Sequence, residues 1–306
     1  MGSTSTDLVL LTGGTGHLGF RVLITTLENG YSLRAAVRSE KKADIIKNNA
    51  LFKALNLGSR LTFAVVPDFV VDGAFDEAAK GVRYIIHVAS PIPTSTPADA
   101  DIDKEVVKPA VQGTQHRPPR IRPQSRWYHP RSRDFLRHSH AAIIIGRDDL
   151  CDSTEYFQSG TNKYPLNVVL GLDAGVPAAP AQVNYVNDTA LAHVRVLDPE
   201  VEGNQAFILS TNGTDMEYDD AKIVAEKYFS HCVKDGILPN TGSLVSIKIP
   251  LDNSKTEKIL GLKMSSYETA TKTVLEHYLE MYEKEHKGQE PELGGERNST
   301  RSLRLL

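Results

Sequence analysis

The chain has two cysteines in 306 residues, one tryptophan, and no apolar segment long enough for a secretory signal or a membrane span. Cys151 and Cys232 cannot build a disulfide framework. Their scarcity points to a reducing compartment, with both thiols serving as small buried hydrophobes. The absence of a signal segment makes cytoplasmic the expected location. The chain also lacks a strong charge bias. A net charge of -3 gives no global pull toward nucleic acid or a membrane, so any basic feature has to be judged locally. With 40% hydrophobic and 24% charged residues, a chain disordered throughout is excluded.

The clearest positive signal is Thr12-Gly-Gly-Thr-Gly-His-Leu-Gly19. It follows the apolar run Leu8-Val-Leu-Leu and precedes a stripe of Leu18, Val22, Leu23 and Leu27. A strand, a tight turn at Gly13, a close backbone approach at Gly16 and a helix packed on its strand at Gly19 together make a dinucleotide site, with a pyrophosphate facing the helix N-terminus. Thr15, His17 and Leu18 complete this loop as cofactor-binding positions. Apolar, β-rich runs at 8-12, 32-37, 61-66 and 83-88 alternate with amphipathic stretches, which predicts a doubly wound parallel α/β sheet. Asn29-Gly30 should end the first helix, and Gly81 should end a helix over Phe75-Lys80. The second strand ends in Arg38, with Lys41 and Lys42 close behind. An NAD site usually carries an acidic residue there for the ribose hydroxyls. The cations favour NADP over NAD, with Arg38 and Lys42 at the 2′-phosphate, although a solvated basic loop has the same composition. Asp68, after the third strand, can accept from an adenine amino group or cap the segment that follows.

These residues, with Val37-Arg-Ser39, Asp72-Gly-Ala-Phe-Asp-Glu-Ala78 and His87-Val-Ala-Ser-Pro91, resemble the extended short-chain dehydrogenase/reductases. The resemblance is to the branch of dihydroflavonol 4-reductase-like enzymes and fungal ketone or aldehyde reductases, within the NAD-dependent epimerase/dehydratase superfamily. Val107-Lys-Pro-Ala-Val-Gln-Gly-Thr114, Gly146-Arg147, Val186-Asn-Asp-Thr-Ala-Leu-Ala-His-Val194 and Asp252-Asn-Ser-Lys255 continue it in order. It implies a Rossmann core with a smaller C-terminal substrate lobe, and an NADP-dependent reductase of small-molecule carbonyls. It also implies that Val88, Ala89 and Ser90 line the cofactor.

That family works with a serine at the end of the fifth strand and a Tyr-x-x-x-Lys pair on the next helix. Residues i and i+4 share a helix face, so the ammonium can lower the phenol's pKa and hold the nicotinamide ribose. Neither motif stands where it is expected. Residues 115-140 hold 7 arginines, 4 histidines, 4 prolines and the only tryptophan, and no lysine. This composition reads as a stretch translated out of frame or across a misjudged splice boundary, with the fifth strand and active-site helix lost. Arg126, Trp127 and Tyr128 could bind single-stranded nucleic acid, but one aromatic pair in a proline-broken run makes a poor stacking platform. His138 and His140 would share a face, but no cysteine or acid accompanies them at zinc spacing. No metal or nucleic-acid site is therefore expected. The only Tyr-x-x-x-Lys in the chain is Tyr218 and Lys222. It falls in the substrate lobe and reads as structural, which leaves no catalytic residue to name.

The expected organisation is an NADP-binding core over 1-150 and a substrate lobe over 151-286. Within that lobe 183-198 packs back on the core, and the tail over 287-306 is disordered. The protein should be a monomer or weak dimer. With the fifth strand gone, Ala141-Ile145 is expected to slide in beside the fourth strand, covering an edge that would otherwise be open.

Overall fold

The computed structural model describes residues 7–90, 138–141, 143–203, 205–211 and 215–287. Its first part alternates strand and helix: β1 (Leu8–Thr12), α1 (His17–Glu28), β2 (Ser32–Val37), α2 (Glu40–Asn48), α3 (Ala50–Ala54), β3 (Leu61–Val65) and β4 (Tyr84–His87). The four strands are parallel and ordered β3-β2-β1-β4. Val9, Leu10 and Leu11 are all fully buried, as they must be in a strand covered on both faces, and this explains the unbroken apolar run. Helix α1 buries Phe20, Val22, Leu23, Ile24 and Leu27 against one side of the sheet. It ends at Asn29, and Gly30 takes the left-handed conformation that an αL stop requires.

Gly81 is also left-handed, but the expected helix before it does not form. Residues 74–82 make successive turns, with Ala79 N bonded to Phe75 O and Val82 N to Ala79 O. Gly73 and Gly81, both left-handed, bracket the span and interrupt right-handed helical geometry at each end. Its apolar residues Phe75, Ala78 and Val82 still pack on Leu10 and Ala36.

The second part is built from pairs of short parallel strands. β5 (His138–Ala141) pairs with β9 (Ala206–Leu209), β6 (Ile143–Ile145) with β8 (Val183–Tyr185), and β7 (Ala178–Pro180) with β10 (Val245–Ile247). Helices α4 (Thr154–Ser159), α5 (Lys163–Leu170), α6 (Val186–Arg195), α7 (Asp220–Lys234), α8 (Ser254–Leu260) and α9 (Tyr267–His286) surround them. The main core here gathers Leu166, Val183, Tyr218, Val224, Val274 and Leu275. Helix α6 belongs elsewhere: its Ala190, with Leu197 beyond it, joins the core of α1. Among the described residues no helix is long and apolar enough to cross a membrane.

The expectation that Ala141–Ile145 lies beside β4 is overturned. β6 pairs with β8, Ala141 pairs with Leu209, and among the described residues β4 pairs only with β1. The reason lies in the partners that residues 143–146 bring with them. Ile143 N donates to Gln182 O at 2.8 Å, and the Asn162 side chain satisfies both the N–H (2.9 Å) and the carbonyl (2.8 Å) of Gly146. Thr161 Oγ1 donates to Ile144 O, and Ile145 is fully buried in the second core. Moving this strand to β4 would break every one of these bonds. Of the Arg-rich run over 115-140, only 138–140 are described, as part of β5; the rest, the Val107–Thr114 landmark, and the tail beyond Lys287 lie outside the described residues.

Candidate cofactor site

The glycine loop closes the gap between β1 and α1 against the chain that leaves β4. Thr12 organises the contact: its carbonyl accepts from Val88 N at 3.3 Å, and its Oγ1 meets Ala89 N at 3.3 Å and His87 Nδ1 at 2.7 Å. Val88 and Ala89 are half-buried beside the loop and Ser90 is exposed. Gly13 is left-handed, and a Cβ on it would stand 2.6 Å from Ala89 N. A Cβ on Gly19 would overlap the Gly13 carbonyl oxygen, so the helix can approach the turn only with glycine there.

Gly16 differs from both. It is exposed, its backbone (φ -108°, ψ 169°) suits any residue, and the nearest atom to a Cβ would be Gly13 O at 3.6 Å. The chain's own packing gives no reason for glycine at this position. The space such a Cβ would fill lies over the N-terminus of α1, where Gly16 is the N-cap and no side chain caps the helix. Of the amides at this end, Gly16 N donates to Gly13 O at 3.0 Å, and those of His17, Leu18 and Gly19 form an anion-binding end without a side-chain cap. A dinucleotide pyrophosphate fits this cradle.

Arg38, Lys41 and Lys42 are all exposed just beyond β2, and none forms an ion pair with a described residue. Ser39 caps α2 by accepting from Lys42 N at 3.4 Å, so the helix starts directly after β2 with Lys41 and Lys42 in its first turn. The Asp68 carboxylate accepts from Val70 N at 2.9 Å, so it serves the turn that follows β3.

The contacts around His17, a position expected to bind the cofactor, carried no signal in the sequence. The imidazole of His17 is engaged by the chain itself, its Nε2 donating to Arg147 O at 3.1 Å. One helical turn further on, Arg21 is ion-paired with Asp149, whose carbonyl accepts from Asn49 Nδ2 at 2.6 Å. Arg147 bonds Asp149 through Nε at 3.0 Å and grips Glu280 of α9 with both terminal nitrogens, at 2.8 and 2.7 Å. Burial pushes His17 below the usual histidine range, against an opposing pull from Asp148, and the Arg147 guanidinium holds the Glu280 carboxyl down. His277, buried beside the same loop and accepting from Asp148 N at 3.4 Å, is pushed down to about 4 by burial and by Arg147. Gly146-Arg147 is visible in sequence as a landmark. Asp149 and Glu280 have no local pattern: Asp149 meets Arg21 and Asn49 across 128 and 100 positions, and Glu280 meets Arg147 across 133.

The Tyr218–Lys222 pair is remote from this loop. Tyr218 is fully buried in the second core, its hydroxyl donates to Pro180 O at 2.8 Å, and its ring packs on Tyr164 and Tyr267. Burial pushes this phenol far up. Lys222 is committed to Asp219 (2.9 Å) and to Gly242 O (3.1 Å). Among the described residues there is no cluster of metal-ligating side chains.

Comparison with known proteins fits this geometry. No protein-family model matches the chain. The chain is 31% identical to ketoreductase CTB6 of Cercospora nicotianae over an alignment of 347 positions, covering 91% of this chain and 97% of the relative. That alignment is longer than the chain, so the relative carries residues that have no counterpart here. An NAD-dependent epimerase/dehydratase, ALT6 of Alternaria alternata, is 44% identical over 110 residues, 35% of this chain and 30% of the relative. Among solved structures, Gre2 from Candida albicans in complex with NADPH superposes with a TM-score of 0.66 at 17% identity, covering 90% of this chain and 99% of that one. This last likeness shows the Rossmann fold.

Proposed function

The chain belongs to the extended short-chain dehydrogenase/reductase family, a family of oxidoreductases, and from that premise we propose that it binds NADPH at the Gly13–Gly19 loop but reduces carbonyls far more slowly than its relatives. Gly16 carries the cofactor half of this reading, as a glycine whose only use is to leave room for a ligand over the α1 N-terminus. The free first-turn amides of His17, Leu18 and Gly19 would hold the pyrophosphate. Arg38 and Lys42 would take the 2′-phosphate as charge-assisted donors. Val88, Ala89 and Ser90 would flank the cofactor where the chain leaves β4, and Asp68 would lie at the adenine end. When bound, NADPH supplies the hydride.

The second half of the reading is what the chain cannot do with that hydride. A ketone accepting it needs a proton on its oxygen and a group that fixes the carbonyl. The one tyrosine with a lysine four residues later is buried, hydrogen-bonded to a main-chain carbonyl and set in another core. Loss of a general acid costs about 10²- to 10⁴-fold, and loss of the carbonyl and ribose anchors removes positioning as well. Against a median enzyme rate of about 10 s⁻¹, turnover should fall to roughly 10⁻¹ to 10⁻³ s⁻¹ or below. A cofactor-binding protein with no turnover at all is the limit of the same reading. The test is a fluorescence titration with NADPH and with NADH, followed by NADPH consumption with a panel of ketones and aldehydes. Tighter binding of NADPH together with slow or absent consumption is the expected result.

A further inference from the structure

We propose that His17 is a positioning residue: its imidazole, tethered to the Arg147 carbonyl, holds the N-terminus of α1 in the orientation that presents its amides to a pyrophosphate. This rests on the reading that the loop binds NADPH and adds a role for a side chain that does not touch the cofactor.

The first turn of a helix lacks acceptors for its own amides. In α1 no side chain caps them. Their direction is therefore set only by how α1 is held as a body. Its hydrophobic face fixes the helix on the sheet but leaves the last degrees of tilt at the N-terminus to polar contacts. Two of these come from α1 itself and both go to one short loop. His17 Nε2 reaches Arg147 O at 3.1 Å, and Arg21, four residues on and so on the same face, pairs with Asp149. Asn49, which caps α3, reaches the Asp149 carbonyl at 2.6 Å and ties the same loop to the neighbouring helices α2 and α3, which share the core of α1.

A brace needs a rigid anchor, and residues 147–149 have one. Arg147 makes a two-pronged contact with Glu280 on the 20-residue helix α9, and Asp148 N bonds His277 on the same helix. The Asp149 side chain is only 8% exposed, so its bonds to Arg21 and Arg147 are shielded from competing water. Helix α9 packs into the second core through Val274, Leu275 and Met281. The chain of contacts therefore runs from the first residue of α1 to the centre of the C-terminal lobe. His17 is the link nearest the site, because its own amide lies in the turn its side chain restrains.

The test compares two ligands on variants of the full chain. NADPH uses the pyrophosphate amides, whereas adenosine 2′-monophosphate reaches only the Arg38 and Lys42 end. His17→Phe keeps bulk but cannot donate, and should weaken NADPH about tenfold, the upper value for one neutral hydrogen bond. It should leave adenosine 2′-monophosphate unchanged. His17→Gln, whose amide can donate to the same carbonyl, should recover part of the loss, and His17→Ala should repeat it if the phenylalanine variant does not fold. NADPH affinity unchanged in His17→Phe and His17→Ala, or equal weakening of both ligands, would overturn the positioning role while leaving the cofactor reading intact. Failure of the unaltered chain to bind NADPH would overturn the cofactor reading itself, and the positioning role with it.

Discussion

Residues 7–90 and residues 143–287 hold their strands by different means. In the first region four parallel strands pair in continuous register over four or five residues each, and one sheet buries the apolar side chains on both of its faces. Among the described residues of the second region the ladders are only three residues long, β6 with β8 and β7 with β10, while β9 pairs with β5 outside it. Side chains there do the work of missing ladder bonds: Asn162 on Gly146, Tyr218 on Pro180, Asn253 on Ser210 and Asp219 on Leu244. The lesson is that the nucleotide half is specified by local pattern and register, whereas the C-terminal half is specified by particular long-range polar contacts. The functional reading divides in the same place. The half with a regular pattern carries a site that can be named, and the half without one carries no identified chemistry.

The sharpest way to break this contrast is to disturb the pattern itself. Gly19→Ala places a methyl group against the Gly13 carbonyl, which neither the turn nor the helix can vacate. Overpacking of this kind costs about 1–3 kcal/mol, and NADPH affinity should fall by roughly 100-fold or more as the loop opens. A thermal melt and an NADPH titration check both effects, and an unchanged affinity would remove the loop from the site.

An effect of similar size, confined to stability and to acid pH, should come from the junction between the halves. His277 titrates at about 4 in the folded protein because burial and Arg147 disfavour its charged form, while Glu280 and Asp149 favour it. The unfolded histidine, near 6.5, binds its proton first. Its contribution to stability is therefore fully present above pH 6.5 and lost as pH falls toward 4, by on the order of 2–3 kcal/mol. Urea unfolding at pH 7, 5.5 and 4.5 measures this. His277→Leu should flatten the dependence, and the same slope in both proteins would assign it to other groups.

The smallest effect isolates the second half. Tyr218→Phe removes one buried hydroxyl bond to Pro180 O and should cost about 1 kcal/mol of stability. NADPH affinity and any residual turnover should stay as they were. A loss of turnover with stability preserved would make Tyr218 a catalytic residue after all.

The same contrast explains what could be read in advance. The runs at 8-12 and 32-37 coincide with β1 and β2, because strands buried on both faces leave an unbroken apolar signature. The loop glycines were legible because steric demand at Gly13 and Gly19 admits no other residue. The turns at 74–82 were misread as helix because Phe75, Ala78 and Val82 bury one face whatever their hydrogen bonds. The partner of β6 was misread because sheet-edge arguments ignore side chains such as Asn162, whose bonds to Gly146 outweigh an open edge. The brace of His17, Arg147, Asp149 and Glu280 was invisible because it joins residues up to 133 positions apart.

The most direct test of the account measures NADPH binding and hydride transfer on the same purified sample. We expect saturable binding, tighter for NADPH than for NADH, and single-turnover oxidation with ketones and aldehydes at least about 10²-fold below an ordinary reductase. Oxidation at an ordinary enzyme's rate would show that the chain holds an acid–base pair this account does not recognise, and absence of binding would contradict the cofactor site itself.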